Sequence, residues 1–101
     1  MHFVLIARDG TDPDAPQRRK AAREAHLRNI EENRARMLMG AATLDAPLPD
    51  GAMNGSVMIV DFPSRAALDA WLAAEPYIVQ KVWDEVTILP CAVGSSFLKN
   101  S

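Results

Sequence analysis

The chain has 101 residues, 49% of them hydrophobic and 24% charged, with a formal net charge of −2. That length is expected to hold one domain, residues 1–101, with little room for a second core, and the balance is that of a soluble globular protein. The charge balance gives no basic face for nucleic acid, no apolar run approaches a membrane span, and the lone Cys91 excludes an internal disulfide.

His2–Arg8 contains the apolar run Phe3 to Ile6, too short for a helix, and predicts a first strand closed by Asp9-Gly10. Phe3 to Ala7 is followed by Asp9, Gly10, Thr11 and Asp12, which is not a signal-peptide pattern. With a single cysteine, the expected compartment is the cytoplasm. Pro13 and Pro16 then lead into a long helix expected over Ala15–Arg36.

The apolar stripe of that helix runs through Ala22, His26, Leu27 and Ile30. An imidazole there must pair or line a cavity, because a buried polar group left unpaired costs about 1 to 3 kcal/mol. His26 therefore marks either a hydrogen-bonded core position or a site. Arg18, Arg19, Lys20 and Arg23 crowd the same helix, but Glu24, Glu31 and Glu32 follow, which reads as a solvated face of mixed charge. If that patch acts, its partner is a small anion rather than a duplex.

Met37–Leu44 predicts a second strand, Asp45–Asn54 a surface connection rich in proline and glycine, and Gly55–Phe62 a third strand placed inside the sheet by Val57 to Val60. Ser64 is the expected N-cap of a second helix whose buried stripe is Ala67, Leu68, Trp71 and Leu72. Pro76 stops it, a short turn of helix follows over Tyr77 to Gln80, and Lys81–Leu89 makes the fourth strand. Asp84 falls in phase with Val82, Val86 and Ile88 while Trp83 falls out of phase, which predicts a bulge or an early strand start.

This order is the α+β, ferredoxin-like βαββαβ arrangement, a four-stranded antiparallel sheet with two helices on one face. The other face carries apolar residues from both runs and needs cover. A second copy is the expected cover, giving a homodimer in which two sheets close into a dimeric α+β barrel. The tail 91–101, with Phe97 and Leu98, is expected to reach the partner.

The N-terminal strand, the helix with Arg23-Glu24-Ala25-His26-Leu27, the Gly55-Ser56 strand entry, and Glu75-Pro76-Tyr77 before a valine-rich strand ending at Pro90 together resemble the YciI-like family. The likeness runs from about Phe3 to Pro90 and rests on order and spacing rather than on one diagnostic motif. It implies a dimeric α+β barrel, in a group that also holds muconolactone isomerase and small monooxygenases. It also implies an active-site pair of the helix histidine and the acid of an Asp-Pro-Tyr or Asp-Pro-Phe motif; one related enzyme is a dehydrochlorinase of chlorinated hydroxyhydroquinone. Carried onto this chain, the pair is His26 and Glu75, with glutamate in place of aspartate. Ala41-Ala42 stands where relatives commonly show Gly-Pro, a change that would reshape the pocket wall.

Histidine changes charge near neutral pH, and a carboxylate on one ring nitrogen fixes the tautomer and favours the imidazolium after proton capture. Such a pair suits an isomerase, a lyase eliminating HX or a hydrolase, acting without cofactor on a small aromatic or carbonyl-bearing molecule. Arg8 and Arg23 are candidates to hold an anionic group. Ser56 either presents a hydroxyl to the substrate or merely opens its strand, and Tyr77 either meets the ligand or packs.

The other reading is a non-catalytic dimeric ligand-binding or accessory protein, with His26 structural and bonded to backbone. A haem-type or cofactor-free monooxygenase follows only from the wider barrel group. One cysteine and two histidines make no zinc cluster. Trp71 reads as core, Trp83 as dimer seam or pocket rim, and Met37, Met39, Met53 and Met58 as filling.

Overall fold

The computed structural model describes residues 1–98. Its elements are β1 (His2–Asp9), α1 (Ala15–Glu32), β2 (Met37–Leu44), β3 (Met53–Asp61), α2 (Arg65–Ala73), α3 (Pro76–Val79) and β4 (Trp83–Cys91), with 3-10 turns at Arg34–Arg36 and Ser95–Phe97. The strands form one sheet in the order β2-β3-β1-β4, and every neighbouring pair is antiparallel. Ala22 of α1 and Leu68 of α2 share one core with Phe3, Leu5, Met58 and Val60, so the helices cover one face of the sheet. This is the ferredoxin-like α+β arrangement.

Several boundaries differ from expectation. α1 ends at Glu32, not Arg36, and Asn33 turns its amide back to donate to the Asn29 carbonyl at 2.8 Å, closing the helix before the 3-10 turn. β3 starts at Met53, two residues before Gly55, because Met53 pairs with Leu44 beyond a register shift. β4 starts at Trp83 rather than Lys81, since Lys81 lies in left-handed backbone with φ 58°. It then runs through Pro90 to Cys91; as an edge strand it tolerates a residue without an amide donor. Cys91 is therefore strand, and residues 99–101 of the expected tail lie outside the described residues.

The phase conflict at Trp83 and Asp84 resolves as a bulge. Ala7 pairs with Val86 and Arg8 with Glu85, but Asp9 pairs with Trp83, so Asp84 is the extra residue. Side chains alternate along β1, which puts Phe3, Leu5, Ala7 and Asp9 on the helix side. The bulge brings the indole of Trp83, instead of the carboxylate of Asp84, to the inner side beside Asp9.

The α2 half of the interior is apolar. Leu68 and Val60 are fully buried, Phe62 is nearly so, and Trp71 tilts against Phe62 with centroids 5.7 Å apart. Ser64 caps α2 as expected, its hydroxyl oxygen accepting from the Ala67 amide at 3.0 Å. On the opposite, uncovered face the register groups Val4 with Ile59 and Leu89, Ile6 with Val57, and Ile59 with Met39. Ile6, Met39 and Leu89 are exposed there. No helix among the described residues is long and apolar enough to cross a membrane.

Candidate active site

Glu75 sits between α2 and α3 and is completely buried. A buried carboxylate needs several donors, and three converge on this one. Its Oε2 accepts from the Tyr77 backbone amide at 2.5 Å, which caps the single turn of α3. Its Oε1 accepts from His26 Nδ1 at 2.5 Å and, at 3.4 Å, from the side-chain amide of Asn29 one turn further along α1. The longer glutamate side chain thus spans from the start of α3 to α1. With Glu75 as the carboxylate, which can only accept from these N–H groups, the geometry assigns the His26 proton to Nδ1. Nε2 makes no hydrogen bond among the described residues.

The ring is fixed on its faces as well. His26 stacks on Tyr77 with centroids 3.9 Å apart and planes 6° from parallel, and Trp83 meets both rings edge-on at 5.8 Å and 5.5 Å. Burial pushes the Tyr77 phenol above its ordinary pKa, against the opposing pull of Arg19 and Arg23, so it is a neutral hydroxyl at neutral pH. Trp83 is a core residue, 5% exposed, rather than a dimer seam or pocket rim.

A second buried network adjoins the first. Arg19 lies seven residues before His26 in α1, on the same face of the helix. It is not part of a solvated face: its Nη1 donates to both carboxylate oxygens of Asp9 at 2.9 Å, and both side chains are at most 10% exposed. Its Nη2 donates to Ser56 Oγ at 3.1 Å, and its guanidinium carbon lies 5.1 Å from the Tyr77 ring centroid. Ser56 also accepts from the Trp83 indole at 3.2 Å. The residue before it must be glycine, because a Cβ on Gly55 would collide with the Ala7 carbonyl oxygen across the β1–β3 pair. By contrast Arg18 does face water, bound to Asp12 at 2.6 and 2.8 Å, and this cation draws the Asp12 carboxyl down to about 2.

Between α1 and the β2 edge of the sheet lies a cleft of about 430 Å³. His26, Tyr77, Ser56, Arg19, Arg23 and Arg34 line it, and among the described residues no Asp or Glu does. Met37, Met39, Met53 and Met58 line the cleft, and Met58 is at the same time core filling as expected, with Met37 packed against that core. Ala41 and Ala42 belong to the same wall. Among the described residues no group of three or more His, Cys, Asp or Glu is placed to hold a metal ion.

Of the residues singled out from sequence, His26, Glu75, Ser56 and Tyr77 are brought together, and Arg23 stands at the cleft with no ion pair among the described residues. Arg8 is not brought in: it pairs with Glu85 and Gly55 on the uncovered face of the sheet, exposed and away from the cleft. Asp9, Arg19, Asn29 and Trp83 were not legible as site residues. For Arg19 and Asn29 a signal existed, since both fall in the helical row of His26; for Asp9 the alternation of β1 already pointed inward.

Comparison with known proteins agrees with this architecture. The family model for the YCII-related domain matches residues 1–92. Protein YciI of Escherichia coli O6:H1 is 30% identical over 95 residues, covering 89% of this chain and 95% of that protein. Among solved structures, the 5-chloro-2-hydroxyhydroquinone dehydrochlorinase of Burkholderia phenoliruptrix, in complex with 2,5-dihydroxybenzoquinone, superposes with a TM-score of 0.83 at 22% identity, over 95% of this chain and 98% of that one. A dimeric ferredoxin-like protein of unknown function from Jannaschia sp. gives 0.50 at 13% identity, over 91% and 98%. On its matching domain and its curated relatives, the chain belongs to the YciI-like family.

Proposed function

We propose that this protein is a small-molecule enzyme of the lyase, isomerase or hydrolase type, in which His26, oriented by Glu75, transfers protons in the cleft without a bound cofactor. The observation that carries this reading is the division of labour on one ring: Nδ1 is tied to a buried carboxylate, while Nε2 is unpartnered among the described residues on a ring that lines the cleft. Nε2 takes a proton from the substrate, and Glu75 stabilises the imidazolium so formed. Returning that proton to another carbon is isomerisation; delivering it to a departing group completes an elimination. Stacking on Tyr77 fixes the ring plane, and Arg23 supplies a cation for an anionic group.

The dehydrochlorinase with the same fold makes loss of HX from a hydroxylated ring the first reaction to try. The working unit we propose is a cytoplasmic homodimer. Its support is the exposed apolar side chains of Ile6, Met39 and Leu89 on the sheet face that the helices leave open, and the dimeric description of a fold neighbour.

Purified protein is assayed without added cofactor on 5-chloro-2-hydroxyhydroquinone and on small lactones. His26→Ala lowers kcat about 10²- to 10⁴-fold, the usual worth of a positioned acid–base group, and leaves the protein folded. Undiminished turnover by His26→Ala would remove the reading and leave a binding or accessory protein in its place.

A further inference from the structure

We infer that Ser56 is an obligate hydrogen-bond donor to the ligand, so that the site selects molecules presenting an acceptor oxygen (a carbonyl, enolate or phenolate) at that point of the cleft. The inference rests on the reading of the cleft as a small-molecule site. It follows from counting valences. A hydroxyl has one proton and two lone pairs. Arg19 Nη2 at 3.1 Å and Trp83 Nε1 at 3.2 Å both donate to Ser56 Oγ. Neither can accept, since a guanidinium and an indole N–H are donors only. Both lone pairs are therefore used, and none of the hydrogen bonds among the described residues has Ser56 as donor.

The one direction left to the Ser56 proton is away from Arg19 and Trp83, and Ser56 is part of the cleft wall. The hydroxyl cannot rotate to suit a donor ligand without breaking one of two buried hydrogen bonds. Its surroundings hold it there: Asp9 clamps Arg19 through both oxygens, and Trp83 is wedged against His26 and Tyr77. An ordinary surface serine accepts or donates as its partner demands; this one has been committed by its neighbours.

The rest of the lining agrees. Among the described residues the cleft lining has no carboxylate, and its nitrogen-bearing side chains other than His26 are arginines, which only donate. Among the described lining side chains, His26 Nε2 is thus the one nitrogen able to accept from a ligand, beside the Tyr77 hydroxyl oxygen. When Nε2 removes a proton from carbon or oxygen of the substrate, the electron pair left behind settles on an oxygen. Ser56 is the preset donor for that oxygen, polarised by the Arg19 guanidinium that donates to it, with Arg23 supplying positive charge nearby, the arrangement that stabilises an enolate or phenolate as it forms.

The test is a binding cycle that needs no turnover. Acetophenone and α-methylstyrene have nearly the same shape, but only the first offers an acceptor oxygen, and both are neutral. Their affinities are measured for wild-type protein, Ser56→Ala and Ser56→Thr. Ser56→Ala weakens acetophenone about fivefold or more relative to α-methylstyrene, the size of one lost hydrogen bond, while Ser56→Thr restores the preference. A purely structural serine would weaken both ligands equally, and that result overturns the inference. Ser56→Ala also strands two buried donors and risks misfolding, so a second measurement uses the wild-type chain alone. Donation by Ser56 makes its oxygen a better acceptor. The Trp83 indole proton therefore moves downfield with acetophenone and not with α-methylstyrene, and equal shifts, or none on binding, sink the assignment. Wild-type protein that binds neither ligand sinks the proposed function itself.

Discussion

α1 and α2 lie on the same face of the same sheet, yet what they bury is opposite in kind. Beneath α2 are Leu68, Val60, Phe62 and the ring of Trp71, with little polarity beyond the capping hydroxyl of Ser64. Beneath α1 are Arg19, Asp9 and Ser56, tied to one another and to Trp83, and beside them Glu75, tied to His26 and Asn29. The apolar flank holds the sheet and helices together by removing surface from water. The polar flank spends some of that stability on fixing a constellation in place, since each buried polar group has to be matched by a partner or become a penalty. Two orphans show how closely the matching is followed: the Nε of Arg19 and the indole nitrogen of Trp71 are the buried side-chain nitrogens without a partner among the described residues.

The strongest way to break the comparison is to strip one charge from the polar flank. Asp9→Ala leaves Arg19 buried without its counter-charge and costs about 3 to 5 kcal/mol of unfolding free energy in urea titration. Replacing both partners, Asp9→Leu with Arg19→Met, recovers much of that loss, because the penalty lies in the unpaired charge rather than in the absent pair. A double variant as unstable as the single one would mean that this flank carries the fold itself. On the apolar flank, Leu68→Ala costs about 3 kcal/mol, a cavity at a fully buried leucine, and leaves acetophenone affinity in the cleft unchanged. A matching loss of affinity would show that the two halves are coupled.

The smallest effect separates the buried pair from its exposed neighbour. Asp12, bound to Arg18 in water, has its carboxyl lowered from the usual 3.8 to about 2 by that hydrogen bond. A depressed carboxyl stabilises the fold fully above the unfolded value, and the benefit is lost as the pH falls through the folded one. Wild-type protein therefore melts slightly above Asp12→Asn at pH 5 and higher, the gap shrinking between about pH 4 and pH 2 and closing below. A gap that persists at pH 1.5 would assign the effect to something other than this ion pair.

Much of this was written in local patterns. Alternation and periodicity located four strands and two helices in the right order and the Ser64 cap, and left the bulge as one of two alternatives beside an early strand start, its sign being Asp84 falling in phase where an apolar residue belonged. His26 was conspicuous because polarity on a helical stripe demands an explanation. Arg19 was concealed by company: in a run with Arg18, Lys20 and Arg23 nothing local marks which cation turns inward. Trp83 was expected at the dimer seam or the pocket rim rather than in the core, because the bulge that reverses its side depends on pairing with β1, a partner more than seventy residues away. Arg8 was named for its charge, although its parity along β1 sends it to the uncovered face.

The sequence by itself determined the kinds and order of elements and marked His26 as a polar residue on a helical stripe, because periodicity and side-chain type are properties of neighbouring residues; Glu75 was named as its partner only through the family resemblance. Only the tertiary structure decided that Glu75, 49 positions away, ends within bonding reach of His26, and that Ser56 has its lone pairs filled by Arg19 and Trp83. Those are matters of strand register and helix placement. They emerge when the apolar flank packs and the buried polar groups, barred from water, have only one another as partners.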